Sequence, residues 1–258
     1  MSVTAADFTI LWPAFVAGLL VTVTHVPLGI QVLSRGIVFI DLAIAQIAGV
    51  GVILANWLTA EPHGWAVQVS ALAAACAGAL LLTWTERRWP DVQEAVIGVT
   101  FILAASGALI LLASNPHGAE HLKDLLVGQI LWVSPGRLPI VAVASAAILI
   151  VWFAVGERAG RSGFYLLFAC AVTVSVQLVG LYLVFTTLIV PALATRRYAR
   201  WRLGASYALA ALGYALGLVI SAVSDWPSGP AIVWVMTALG IIVFACGPRG
   251  RNGAEKPA

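Results

Sequence analysis

Eight stretches of this chain, at 8–34, 42–60, 62–85, 95–115, 138–156, 162–195, 203–224 and 226–248, pass without one Asp, Glu, Lys or Arg. A lipid-spanning helix needs about 20 mostly apolar residues, so almost any of these stretches is long enough to cross a bilayer. Composition agrees. Of 258 residues, 61% are hydrophobic and only 10% charged, and the mean hydropathy is +0.99. A soluble domain carries roughly 45–50% apolar and about 25% charged residues, so a soluble globular enzyme is excluded. Three cysteines give no disulfide framework, and a net charge of +3 spread along the chain gives no nucleic-acid surface.

In hydrocarbon every backbone N–H and C=O must be paired, which leaves helices or closed barrels. The stretches lack the ten-residue alternation of barrel strands, so the sequence predicts an all-α, polytopic transmembrane helix bundle with about eight to nine membrane segments. It reads as one integral domain over 1–248 with a short cytosolic tail at 249–258. The first stretch follows no positively charged leader and is expected to stay as a span.

Placing the N-terminus outside puts 12 of the 14 basic residues on one side: Arg35, Arg87, Arg88, Arg158, Arg161, Arg196, Arg197, Arg200, Arg202, Arg249, Arg251 and Lys256. Lys and Arg accumulate in cytoplasmic loops, so the C-terminus is expected in the cytosol. Lys123 and Arg137 fall outside, with Glu61, Glu120, Asp124 and Asp225. The 34-residue run 162–195 carries Arg on both flanks, too long for one helix and too short for two full crossings. It is expected to form a bent or re-entrant hairpin or two short tilted helices, with Gly180 a turn and Pro191 a break. Gly213 and Gly217, four apart, and the Ala-rich stretch 71–79 suit close helix packing.

Ionisable residues inside spans cost roughly 2.5–3.5 kcal/mol each on insertion scales, so each needs a reason. Asp41, about one turn into the second span, either faces a polar pathway or is a wetted or capping residue at the membrane edge. Gln46 follows five residues on. His25, beside Pro27, reads as a hydrogen-bonded core residue, and Glu94 as a carboxylate at a positive helix end. In the loop after the fourth span, His117, Glu120 and His121 spell H-x-x-E-H. Two imidazoles four apart share a helix face and can hold Zn²⁺, but the same segment also reads as a solvated helix start after Asn115 and Pro116. The spelling also matches an inverted metalloprotease motif, so a membrane metalloenzyme stands as an alternative.

Several segments recur together in an order that resembles the membrane permease subunits of bacterial ABC transporters for zinc and manganese. They are VPLGIQVLSRGIVFIDLAIAQIAGVG (26–51), EAVIGVTFILAASGALILL (94–112), LLVGQILWVSP (125–135), LVGLYLVFTTLIVPALATRRYAR (178–200) and WPSGPAIVW (226–234). The resemblance implies a dimer of permease chains in the bacterial inner membrane, a cytosolic ATP-binding subunit and a periplasmic metal-binding protein, with Zn²⁺ or Mn²⁺ as cargo and lipid all around. It implies no nucleic-acid partner and no cofactor held by this chain. ATP hydrolysis belongs to the partner, since no G-x-x-x-x-G-K-[ST] loop occurs here.

The chain departs from the family pattern twice. Typical members follow the Asp of the second span with a His one turn later; here Ala45 stands there, next to Gln46. The inner loop that docks the ATPase is reduced to GERAGRSG over 156–163. Asp41, Gln46, His117, Glu120 and His121 are therefore the metal-handling candidates. A scaffold that kept the fold without transporting is the third reading.

Overall fold

The computed structural model describes residues 5–58, 65–112, 130–155, 160–198 and 200–248. Among them are nine α-helices: α1 (Ala5–Arg35), α2 (Ile40–Leu58), α3 (Trp65–Arg88), α4 (Gln93–Leu112), α5 (Leu138–Val155), α6 (Gly160–Val179), α7 (Leu181–Ala194), α8 (Arg202–Ser224) and α9 (Ser228–Cys246). Seven helical segments are long and apolar enough to cross a membrane, while α2 and α7 are shorter apolar helices. The all-α, multi-pass architecture expected from the charge-free stretches is the architecture found.

Each reversal has a local cause. At the end of α1, Gly36 takes φ 70° and the Ile37 N–H bonds Val32 O at 3.3 Å, a glycine-capped helix end. Between α8 and α9, Asp225 adopts the left-handed conformation at φ 53°, and the Ser221 hydroxyl donates to Trp226 O at 2.7 Å.

The run 162–195 divides at Gly180, whose φ 86° and ψ 162° are essentially restricted to glycine. At about 1.5 Å per residue, α6 is roughly 30 Å long and α7 only about 21 Å. The two helices diverge: α6 packs mainly on α3 and α2, and α7 on α1 and α9. Pro191 does not break the chain, contrary to expectation. The helix runs through it to Ala194, giving up the one backbone bond that an N–H at position 191 would have made to the Thr187 carbonyl. Its own carbonyl is well used, accepting from the Thr195 N–H at 3.1 Å and the Thr195 hydroxyl at 2.7 Å.

Small residues set the helix spacing. A side chain at Gly217 would begin 2.6 Å from Ile232 Cα, and one at Gly213 would begin 2.8 Å from Met236 Cβ, so α8 and α9 touch nearly backbone to backbone. Ala71, Ala75 and Ala79 are buried along one face of α3. Gly18 lies under the Tyr214 ring, and the Tyr207 hydroxyl donates to Val23 O at 3.0 Å, which makes α1 and α8 antiparallel.

The basic residues meet at one end. The Arg35 guanidinium lies 4.2 Å from the centroid of the Phe164 ring, Arg87 Nη2 donates to Ser162 Oγ at 2.7 Å, and Arg161 Nε is 3.6 Å from Glu86 Oε1. Because α1 and α8 run antiparallel, Arg202 starts α8 at that same end. Arg196 and Arg197 both lie over the Phe244 ring near the end of α9, at 5.2 and 4.3 Å. At the centre of the bundle, the apolar windows of α1 and α6 are 61% and 56% buried; α4 and α5, at 17% and 11%, are peripheral.

The contacts at Gly29 and Gly98 give a matched test. A Cβ at Gly29 would collide with the Leu188 carbonyl, whereas Gly98 has open space around it. Gly29→Ala is expected to lower the unfolding temperature, at a cost of about 1–3 kcal/mol for overpacking, and Gly98→Ala to leave it unchanged or slightly raised. Thermal unfolding of the two variants in detergent micelles checks this.

Candidate functional site

The chain keeps most of its buried polar groups satisfied within the helices. Thr22, Thr83 and Thr187 hydroxyls donate to the carbonyls of Gly18, Ala79 and Leu183, four residues back, at 2.7–2.8 Å. The Tyr214 and Thr187 hydroxyls share a further bond at 2.9 Å. Against that background the unsatisfied groups stand out.

Asp41 is the foremost. It is the second residue of α2, its side chain is wholly sealed from solvent, and neither carboxylate oxygen has a hydrogen-bond partner. The amides of Asp41 and Leu42 lie near it at the positive end of the helix, but neither makes a well-formed hydrogen bond to it. Full burial argues against the wetted reading of Asp41, and the nearby Asp41 and Leu42 amides are those that a carboxylate in the first turn of a helix meets. Among the described residues, Glu94 is the one ionisable group whose charge reaches it.

Glu94 begins α4 and reaches out of its own helix. Its Oε1 accepts the Phe39 N–H at 3.2 Å, capping the start of α2 from across the bundle, while Oε2 is buried without a partner. Phe39 in turn stacks on Phe185 of α7, with centroids 6.3 Å apart and planes 7° apart. Glu94 thus ties α4 to the start of α2, and the Phe39 ring ties that start to α7.

The other candidates separate. Gln46 is half-buried and sits about 140° around α2 from Asp41, so the two do not share a face; Ala45, one turn on from Asp41, does, and it is buried. His117, Glu120 and His121 lie outside the described residues. His25 is a buried core residue, as expected. Its Nδ1 is 3.1 Å from Val21 O and 2.9 Å from Thr24 Oγ1, yet Nε2 has no partner. With Nδ1 donating to the carbonyl, Nε2 carries a free lone pair.

Two groups escape a search for charge. Thr173 Oγ1 and Gln177 Nε2 are also buried and unpaired, one turn apart on α6. Their signal in the sequence is only the four-residue spacing of two polar groups within an apolar run. Among the described residues no three His, Cys, Asp or Glu side chains gather into a closed metal cage. What remains is a small set of open donors, two of them carboxylates at one helix start.

The family model of the ABC 3 transport family matches residues 7–159 and 155–247. The chain belongs to this family. The high-affinity zinc uptake system membrane protein ZnuB of Haemophilus influenzae is 24% identical over 248 residues, covering 88% of this chain and 93% of that protein. A probable metal transport system membrane protein of Chlamydia trachomatis is 24% identical over 255 residues, covering 88% and 85%. The fold is shared with a chain of PsaBC from Streptococcus pneumoniae in complex with Fab, at a TM-score of 0.75 and 22% identity over 94% of this chain and 93% of that one. As an ABC 3 family member the chain is a multi-pass membrane permease of a transport system, and the enzyme reading of H-x-x-E-H gains nothing from relatives named for transport.

An unpaired buried carboxylate contributes no hydrogen bond to the fold and bears the cost of desolvation. Asp41→Asn in this ABC 3 family chain is therefore expected to unfold at or above the parent temperature, with unchanged helicity by circular dichroism. A fall equivalent to more than about 1 kcal/mol would mean that Asp41 has a structural partner.

Proposed function

We propose that this chain is the membrane subunit of an ABC transporter that moves divalent metal ions, zinc or manganese, across a bacterial inner membrane. The observation that carries the reading is Asp41: a carboxylate retained inside a bundle, closed from water and without a well-formed hydrogen bond. Such a group is expensive to keep, and a cation passing along the helices is the function that repays it. The names of the zinc-uptake and metal-transport relatives support the choice of cargo.

The working assembly has two permease copies, an ATP-binding subunit at the basic face and a periplasmic metal-binding protein at the opposite one. Arg35, Arg87, Arg161 and Arg196–Arg202 mark the cytosolic side by the positive-inside rule. With the 156–163 loop short, the Arg196–Arg202 turn, fixed to α9 through Phe244, is the surface available for docking the ATPase. Hydrolysis in the partner supplies the free energy that biases the helices between outward- and inward-open arrangements. On the outer side, His117, Glu120 and His121 receive the ion. An open set of few ligands suits transport, because the cargo has to leave as readily as it enters.

Uptake of labelled Zn²⁺ and Mn²⁺ by proteoliposomes holding the chain with its ATPase tests the reading. ATP-dependent uptake of either ion is expected, and Asp41→Asn is expected to lower it at least about tenfold, the scale of losing one charged ligand. Uptake unchanged by that substitution would take Asp41 out of the route. A second measurement concerns the outer segment: His117→Ala with His121→Ala should weaken Zn²⁺ affinity at least tenfold in a calorimetric titration, and equal affinity would exclude a capture site there.

A further inference from the structure

We infer that Glu94 is a cargo ligand alongside Asp41, so that the two carboxylates, contributed by the starts of α4 and α2, form an all-oxygen divalent-cation site in place of an Asp with a neighbouring imidazole. The inference rests on the proposed role of Asp41 and names its partner.

Three observations meet here. Asp41 is completely buried with both oxygens unpaired. Glu94 Oε1 accepts the Phe39 N–H, two residues before Asp41, with the Val38 amide also near the carboxylate, while Oε2 is buried without a well-formed hydrogen bond. The Phe39 bond brings the Glu94 carboxylate to the start of the helix that carries Asp41, and no basic group among the described residues is paired with either one. Three orphan carboxylate oxygens are thus held at one helix start. Carboxylates brought close together disfavour each other's ionised form, and a doubly charged cation removes that repulsion.

The end of α2 opposes a cation, but weakly. A helix N-terminus is equivalent to only about half a positive charge. The Phe39 amide, which would otherwise add to that positive end, is already consumed by Glu94 Oε1.

The geometry also explains how the chain manages with Ala45 where an imidazole is expected. Neither Ala45 nor Gln46 supplies a second ligand on the Asp41 face, while Glu94 approaches from another helix. Carboxylate oxygens suit harder cations such as Mn²⁺, and loss of imidazole removes the donor that favours Zn²⁺. The site therefore narrows the preference for zinc over manganese relative to a site with Asp and His.

The alternative is that Glu94 does no more than hold the start of α2, and two substitutions separate the readings. Glu94→Gln retains an acceptor of the same length for the Phe39 N–H but removes the charge. Glu94→Asp retains the charge but shortens the reach. Mn²⁺ binding to the full chain in detergent micelles, followed by the loss of the free-Mn²⁺ electron paramagnetic resonance signal, should be weakened tenfold or more by Glu94→Gln and only about threefold by Glu94→Asp. Asp41→Asn should weaken it by at least as much as Glu94→Gln, and the Asp41→Asn, Glu94→Gln double variant should be little worse than either alone, as for two ligands of one ion. The reverse order, Gln binding like the parent and Asp losing binding, assigns Glu94 to helix positioning and overturns the inference while leaving the role of Asp41 standing. Parent-like binding in both Asp41→Asn and Glu94→Gln overturns the inference together with the reading beneath it. If Glu94→Gln does not fold, Glu94→Asp decides: retained binding supports the ligand role, and lost binding in a folded protein refutes it.

Discussion

Hydrocarbon offers a polar group no second chance: whatever the protein does not bond inside itself stays unbonded. The whole molecule is organised around that constraint. Threonine hydroxyls fold back onto carbonyls one turn earlier, tyrosines find hydroxyl or carbonyl partners, and helix ends close with glycine or with a neighbouring side chain. Helices that cannot be driven together by water exclusion instead approach through surfaces without side chains, as at Gly217 and Ile232 or Gly51 and Ala74. The rule is broken, among the described residues, at Asp41, Glu86 Oε2, Glu94 Oε2, His25 Nε2, Thr173, Gln177 and Arg202 Nε, where buried polar atoms are left without a partner.

Much of this was legible in the sequence because the relevant signals are one-dimensional. The absence of charge over twenty residues is a property of consecutive letters, and so the helices fall within a few residues of the charge-free stretches. Gly180 was readable for the same reason, since a glycine interrupts a run too long for one crossing and only it can adopt the φ and ψ found there. The segregation of arginines to one end follows from alternating spans and needs no tertiary detail. Pro191 was misjudged because the penalty for proline depends on position within a helix, and the helix end, set by Thr195 and its bonds to Pro191 O, is not visible locally.

The site was only half legible. Asp41 announces itself by its charge, but its burial and lack of partners depend on the helices packed around α2. Glu94 read as a local feature of its own helix, and nothing in the order of residues shows that its carboxylate reaches the amide of Phe39, 55 positions away. Gln46 seemed a natural neighbour of Asp41 by proximity along the chain, yet five residues on a helix point away by about 140°. Neutral groups such as Thr173 and Gln177 give still less warning, because their cost in a membrane appears only once their neighbours are known.

A phenyl ring that meets two guanidinium groups joins parts that the chain itself keeps 47 positions apart. With Arg196 and Arg197 both seated on Phe244, the bend after α7 and the tip of α9 are tied together. The knuckle at Gly217 and Ile232 leaves no slack between α9 and α8. A push delivered at that bend is handed on as a lever stroke to α8 and α9, and α8 is itself hooked to α1 through Tyr207 and Val23.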